Sequence, residues 1–554
     1  MASLGWTWPS LIVRSDVVAV GMLLAVATFY NFYFTIRYPR NLARVGRKPG
    51  QTGFTLRTRW QYYTDCESLY REAYENYSKQ GKTVLIPGLG CRDEIVLPFS
   101  AIQWLIEQPE GTLSVSQALV EIEQVTYSLG SQRFAADARP IPLVKRDMDQ
   151  VMEARGDALK EELAVAFDTL LGDDTQSWRE IDLYKTVETV IAQVATYFTL
   201  GSSVEGLQLC RNEEYHESCL AAIDGLLLNA GITGASPNFL KPVVGRLASL
   251  PLSRNIAKLG RHVRPLYEER MRLLHRNKED PDVPMPQDHY QMMLRYAAEH
   301  MPEELNPDDM CRRLCVANFG LIHLPRVQLT NMILDILGSD AEFDTVAVLR
   351  DEIARVIGAA PDGTWTKAKA AAMSRIDSVA RETLRTHSFA NRTVPRKVLV
   401  DGLVTEDGVS LPKGAMVSLF NRGPQTDAEH LEEPCKYDPF RFSRLREAAS
   451  DAEGRPGLGS LSFTSTSKQY LPFGHGKTAC PGRFIVDFEL KMITSYLLMH
   501  YDICFPPENE GRRPPNIWLL ETLVPPPGVK IMVKKRLGVS SGDATQAPDG
   551  ESRV

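Results

Sequence analysis

Cysteine is sparse in this chain and never arranged as a disulfide framework or a metal site. The 554 residues hold nine cysteines, scattered and odd in number, which reads as a reducing compartment. Cys311 and Cys315 lie one helical turn apart but lack a histidine or third cysteine at ligand spacing, so they read as core residues. No G-x-G-x-x-G follows a strand-like segment, which argues against a nicotinamide or flavin site of the chain's own. No internal repeat is visible, which argues against a solenoid. Excess positive charge is missing too: 63 basic residues against 69 acidic ones give a net charge of −6 and a pI near 6.0. That balance excludes an extended basic surface for nucleic acid. The sequons at Asn76 and Asn391 are chance matches if this part faces the cytosol.

Long apolar runs are also scarce, with one exception. Residues 17–36 contain no charge, and Asn31 with two threonines makes the only polar interruption. At about 1.5 Å per residue this run crosses a roughly 30 Å hydrocarbon layer. Arg37, Arg40, Arg44, Arg47 and Lys48 follow it, against Arg14 and Asp16 before it. The positive-inside bias then places the rest of the chain in the cytosol. Ala25-Val26-Ala27 resembles a signal-peptidase site. The apolar run continues nine residues beyond it and the cations lie on the wrong side, which favours an anchor. The reading is therefore an anchor over 1–37, a Pro/Gly/Arg hinge over 38–55, a body over 56–537 and a disordered tail over 538–554.

With 44% hydrophobic and 24% charged residues the body has ordinary globular material. Length alone suggests three or four domains. Apolar residues at three-to-four spacing predict helices near 149–170, 183–200 and 308–338. Short strands are expected within 83–97 and at 397–400, 409–411, 415–420 and 529–533, with turns at Asp407-Gly408 and Lys413-Gly414. Residues 446–467 read as a surface loop. Helices first and a minor sheet late predict a mainly helical α+β fold.

The most informative stretch is LPFGHGKTACPGRF at 471–484. Gly474 and Gly476 permit positive φ and close backbone approach. Pro481 suits the first turn of a helix expected over 481–500, whose N-terminus would favour thiolate at Cys480. A flat loop aiming one thiolate suits haem iron. Upstream, SRIDSVARETLRT at 374–386 reads as an amphipathic helix, with Glu382 and Arg385 three apart on one face. Tyr437-Asp438-Pro439-Phe440-Arg441-Phe442 follows it, and Arg385 stands 95 residues before Cys480.

Phe473, Gly474, Gly476, Cys480 and Gly482 resemble the haem loop of the cytochrome P450 superfamily, and E-x-x-R with the Arg441 segment resembles its two supporting motifs. The chain looks most like fungal microsomal members of specialised metabolism. The resemblance covers about residues 40–537 and implies one large helical domain with minor sheets, rather than several domains. It implies haem b with Cys480 as axial ligand. Glu382, Arg385 and Arg441 become the network holding the proximal loop, and Thr478 stands where the family places Arg or His against a haem propionate. Lys145, Arg146 and Arg392 are the candidate cations for the propionates.

The helix expected over the distal haem face departs from the family pattern. Gly320 leaves room for dioxygen and substrate, and His323 occupies the position of the family's acid. Leu324 replaces the alcohol, and Pro325 behind it predicts a kink. His323 is either a proton relay or a core histidine. By resemblance the substrate pocket takes Phe319, Ile322, Leu324, Ser388, Phe389, Ala390, Asn391, Thr522 and Leu523. The implied activity is oxygenation of an apolar small molecule by dioxygen, with electrons from an NADPH-cytochrome P450 reductase docking near Lys468, His475, Lys477 and Arg483. The alternative is desaturation, ring expansion, coupling or isomerisation without net oxygen insertion. The third reading is a haem carrier or sensor without turnover. The implied location is the endoplasmic reticulum, single-pass, in contact with membrane lipid.

Overall fold

Helices dominate the computed structural model, which describes residues 36–48, 50–90, 92–136, 141–358, 365–450 and 461–537, and leaves the side chains of 141–148 undescribed. The expected anchor (apart from Ile36) and the tail lie outside the described residues. The largest hydrophobic core gathers on three buried helices. These are Leu183–Leu200, the segment from Pro307 to Phe343, and Arg483–His500. Their apolar residues recur around most of the circumference, as in helices sheathed by others. Ile141–Leu171, Glu213–Ala235 and Lys241–Glu279 pack outside them.

Glu213–Ala235 is the one helix among the described residues long and apolar enough to cross a membrane. Tyr215, Cys219, Ala222 and Ile223 are nevertheless buried in the core. Its far end, with the start of the next helix, exposes Leu228, Leu240, Val243 and Leu247.

The strands form a six-stranded sheet ordered Ala43–Arg44, Val84–Pro87, Asp93–Val96, Met416–Phe420, Arg392–Val398 and Leu113–Ser114. Tyr501–Cys504, Lys530–Lys535 and Arg179–Asp182 form a second sheet, and Ile517–Leu519 pairs with Thr522–Val524 as a hairpin. The expected strand at 397–400 begins earlier, at Arg392, and ends at Val398. Part of the expected hinge is ordered into the sheet: Ala43 and Arg44 pair in parallel with Val84 and Leu85, and Leu42 and Val45 are buried. The expected loop at 446–467 starts inside helix Arg441–Ser450.

The distal helix shows how the chain accommodates Pro325. Pro307–Asn318 is α-helical, Phe319–His323 is a π turn, and Leu324–Phe343 is α-helical again. A π turn inserts an extra residue into the helical ring. Pro325 then falls in the first turn of the following helix, where no N–H is required. The expected kink is thus a change of helical register. Asn306 caps this helix, accepting from the Asp309 N–H.

Candidate active site

The cysteine loop is built on two left-handed glycines. Gly474 has φ +68° and Gly476 φ +71°, conformations that side-chain-bearing residues rarely adopt. Between them and the helix, the Cys480 N–H donates to the Phe473 carbonyl at 2.8 Å and closes the loop. The helix begins at Arg483, two residues later than expected, because Pro481 and Gly482 form a turn. That turn aims the N–H groups of Gly482 and Arg483 at the sulfur. Burial pushes the Cys480 thiol up, while those two N–H groups and the Arg483 charge act the other way.

Cys480 is nonetheless exposed by surface area. The desolvation comes from protein packed around the loop, while the residue as a whole keeps open surface. The distal helix has a matching opening. Gly320 and Leu324, one turn apart, are exposed within a stretch that is otherwise buried or half-buried. Leu324 is 47% exposed, and nothing lies within 4 Å of where a Cβ on Gly320 would stand.

Two arginines, one half-buried and one buried, divide the roles that the sequence offered to one. Arg392 does not face the haem loop. Its Nε and Nη2 donate to Glu521 at 2.6 and 2.9 Å, and Nη1 pairs with Glu94. The buried cation beside the loop is Arg396, 3% exposed, whose Nη2 donates to Thr478 Oγ1 at 3.1 Å. Thr478 Oγ1 therefore accepts from this arginine, and its own O–H remains able to donate. Among the described residues no carboxylate pairs with Arg396, and burial pushes its guanidinium down to about 10. A buried cation without an anion is costly, and a propionate carboxylate would supply one.

Strand alternation places residues 392 and 396 on one face. A bulge between Thr393 and Arg396, with Val394 at φ +52°, breaks that alternation. No residue type in the sequence announces the bulge, so Arg396 was missed. Lys145 and Arg146 fall on helix Ile141–Leu171, where their side chains are not described.

Glu382 and Arg385 are fully buried and bidentate, at 2.7 Å for both bonds. Arg441 adds a third bond to Glu382 at 3.1 Å. The remaining Arg385 donors reach the carbonyls of Gln425 and Pro434 at 2.6 and 2.7 Å. The network stitches residues 425–441 to the helix, and Gln425 passes the tie on to the Gln469 carbonyl. Arg381 supplies a parallel link, stacked 3.6 Å over Tyr470 and donating to the Ser462 carbonyl at 2.6 Å.

His323 is 5% exposed, stacked on Phe319 and edge-on to Phe389. Burial, then the charge of Arg326, pushes its pKa down to about 3. Arg326 Nη2 lies 3.2 Å from Nδ1, so Nδ1 accepts and the proton sits on Nε2. Nε2 is itself sealed from solvent. A ring that is neutral at working pH, with Nδ1 taken up by Arg326 and Nε2 buried without a hydrogen-bond partner among the described residues, suits packing better than proton relay. The neutral ring favours the folded state above the unfolded value near 6.5, and that contribution fades as pH falls toward about 3. Accordingly, His323→Asn is expected to leave the shape of the kcat/KM profile unchanged between about pH 6 and 8. Loss of a titrating limb in that variant would restore the relay.

The pocket residues separate in the same way. Phe319 and Phe389 meet the His323 ring, and the Leu523 N–H donates to the Phe389 carbonyl at 3.0 Å. Ala390 is exposed and bridges to half-buried Thr522. Ile322 is fully buried in the core. Ser388 and Asn391 are structural: Ser388 accepts from Asn421 at 2.7 Å, and Asn391 Nδ2 donates to the Glu521 carbonyl at 2.8 Å. At the loop's outer surface Lys468 and Lys477 are exposed, whereas Arg483 is tied to the Thr464 carbonyl.

Comparison with known proteins agrees with this geometry. The cytochrome P450 family model matches residues 344–533. Cytochrome P450 monooxygenase astC of Aspergillus terreus is 49% identical over 511 residues, covering 92% of this chain and 94% of that protein. Cytochrome P450 monooxygenase pbrC of Penicillium brasilianum has the same identity and coverage. Cytochrome P450 monooxygenase tenB of Beauveria bassiana is 40% identical over 526 residues, with 93% and 96% covered.

Proposed function

The chain belongs to the cytochrome P450 superfamily, oxidoreductases that use haem with a cysteine thiolate, and from that premise we propose that it oxygenates an apolar small molecule of fungal specialised metabolism. The observation that carries this reading is the solvent-open Cys480, held by two N–H groups in a loop beside buried Arg396, which has no carboxylate partner among the described residues. Bound haem supplies the iron at which dioxygen is activated, with sulfur donation tuning it. Cys480 would be its ligand, and Arg396 with Thr478 would take a propionate. Gly482 and Arg483 hold the thiolate in place, and the Glu382 network keeps the loop from shifting.

On the distal side the chain offers shape and little acid–base chemistry. Gly320 leaves space, Leu324 presents an open apolar side chain, and Phe389 with Leu523 offers a hydrophobic wall. Protons then come from water or from a hydroxyl on the substrate. The same feature favours a second reading, in which the substrate is desaturated, coupled or rearranged without net oxygen insertion. Turnover under isotopic dioxygen separates them: label in the product supports oxygenation, and an oxidised or rearranged product without label supports the alternative. No product across a broad panel of apolar substrates would favour a carrier or sensor.

Leu324→Thr is expected to change rate by less than about threefold while shifting product ratio, because the new hydroxyl has no charged acid beside it. Proton delivery is typically worth about 100-fold or more. A gain of that size in coupled turnover would show that the alcohol alone restores delivery.

Electrons come from an NADPH-dependent flavoprotein reductase, for which exposed Lys468 and Lys477 offer cations beside the loop. The protein resides at the endoplasmic reticulum membrane by the run at 17–36. Leu56, Trp60, Val243 and Leu247, each more than 60% exposed or close to it, are suited to a lipid surface.

A further inference from the structure

The hairpin Ile517–Val524 is held more firmly than a hairpin of two three-residue strands requires. At its turn Leu520 has φ +54°, a conformation that costs a branched residue energy and persists only where surroundings enforce it. Those surroundings are two separate anchors.

At the turn, Glu521 receives both Arg392 bonds and the Tyr70 hydroxyl at 2.6 Å. Burial would push the Glu521 carboxyl up, but Arg392 holds it below the usual carboxylate range. Arg392 in turn pairs with Glu94 in the six-stranded sheet. At the other end, Arg513 pairs with Asp335 and donates to Asn331 Oδ1 at 2.9 Å, both on the distal helix. Gly338 lets it lie close, since a Cβ there would stand 2.8 Å from the Arg513 Cβ. One anchor is thus on the sheet and the other on the helix.

What the hairpin carries between them is the wall of the site. The Leu523 N–H holds the Phe389 carbonyl, Ala390 bridges to Thr522, and the Phe389 ring meets His323 edge-on. The geometry points to Glu521 and Arg513 as positioning residues that set the distance between the sheet and the distal helix across the substrate chamber, and so its tolerance for ligand width. This inference rests on the haem-site reading above. Neither residue reaches the reacting atoms; each acts through the backbone that places Phe389 and Leu523. The ligand class is an apolar molecule wide enough to touch both walls.

The test uses the haem-loaded full chain and two azoles that bind iron directly, imidazole and phenylimidazole, followed by the shift of the Soret band. Imidazole is too small to touch the wall, so Glu521→Gln is expected to leave its dissociation constant unchanged. The phenylimidazole constant should change by about tenfold, the lower end of what a misplaced pocket wall costs. The ferrous carbonyl spectrum should match the wild type, which a general loss of structure would not allow. Should Glu521→Gln fail to load haem, Tyr70→Phe removes one bond to the same carboxylate and is expected to move the ratio in the same direction. An unchanged ratio of the two constants in the variants that load haem overturns the inference while leaving the haem site standing. A wild-type protein giving no azole shift overturns the haem-site reading and this inference together.

Discussion

Cys480→Ala is expected to abolish the red-shifted Soret band of the ferrous carbonyl form while leaving the polypeptide folded. The two halves of this prediction have separate grounds. No other described side chain offers sulfur in that loop, so the variant has no thiolate to donate. The fold should survive because Cys480 is exposed by surface area and the loop is closed by its backbone N–H. Deleting a buried group costs about 2–5 kcal/mol through lost burial and the cavity left behind, and neither applies here. Thermal unfolding of the apo-protein should therefore stay within about 1 kcal/mol of wild type. A variant that keeps the red-shifted band would remove Cys480 as ligand.

Arg385→Ala should do the reverse, destroying the fold around an intact ligand. Removing the guanidinium strands Glu382, fully buried, with only Arg441 and one backbone N–H as partners. It also leaves the Gln425 and Pro434 carbonyls without their donor. Breaking a buried ion pair by removing one partner costs about 3–5 kcal/mol. That is a large share of the roughly 5–15 kcal/mol by which a domain is stable. The expected result is little or no haem-loaded protein and an early urea midpoint. Arg385→Lys should rescue poorly, because one ammonium cannot reproduce two parallel bonds and the carbonyl contacts. A midpoint within about 1 kcal/mol of wild type would show that the network is not what holds residues 425–441.

The parts of the site that were legible in the sequence are those set by short-range rules. A single cysteine just after two left-handed glycines, and an acid and arginine three apart on an amphipathic helix, dictate local geometry wherever they occur. The helix Leu183–Leu200 ends where its apolar periodicity ends. The parts that were not legible depend on contacts between distant segments. Arg392 and Arg396 are equally plausible cations on paper. A bulge at Val394 sends one to Glu94 and Glu521 and the other to Thr478. His323 could be weighed as relay or packing residue only once Arg326, Phe319 and Phe389 were seen around it.

Pro325 marks the boundary between the two kinds of information. Its missing N–H made a break in the distal helix a matter of covalent chemistry, readable from one residue. Whether the break became a bend or a π turn depended on the packing of Ile322 and His323 into the core. The sequence alone therefore determined the haem-thiolate loop and its supporting pair, because both are local. Tertiary structure decided which buried charge meets which, because a buried guanidinium takes the partner that the surrounding backbone brings within reach.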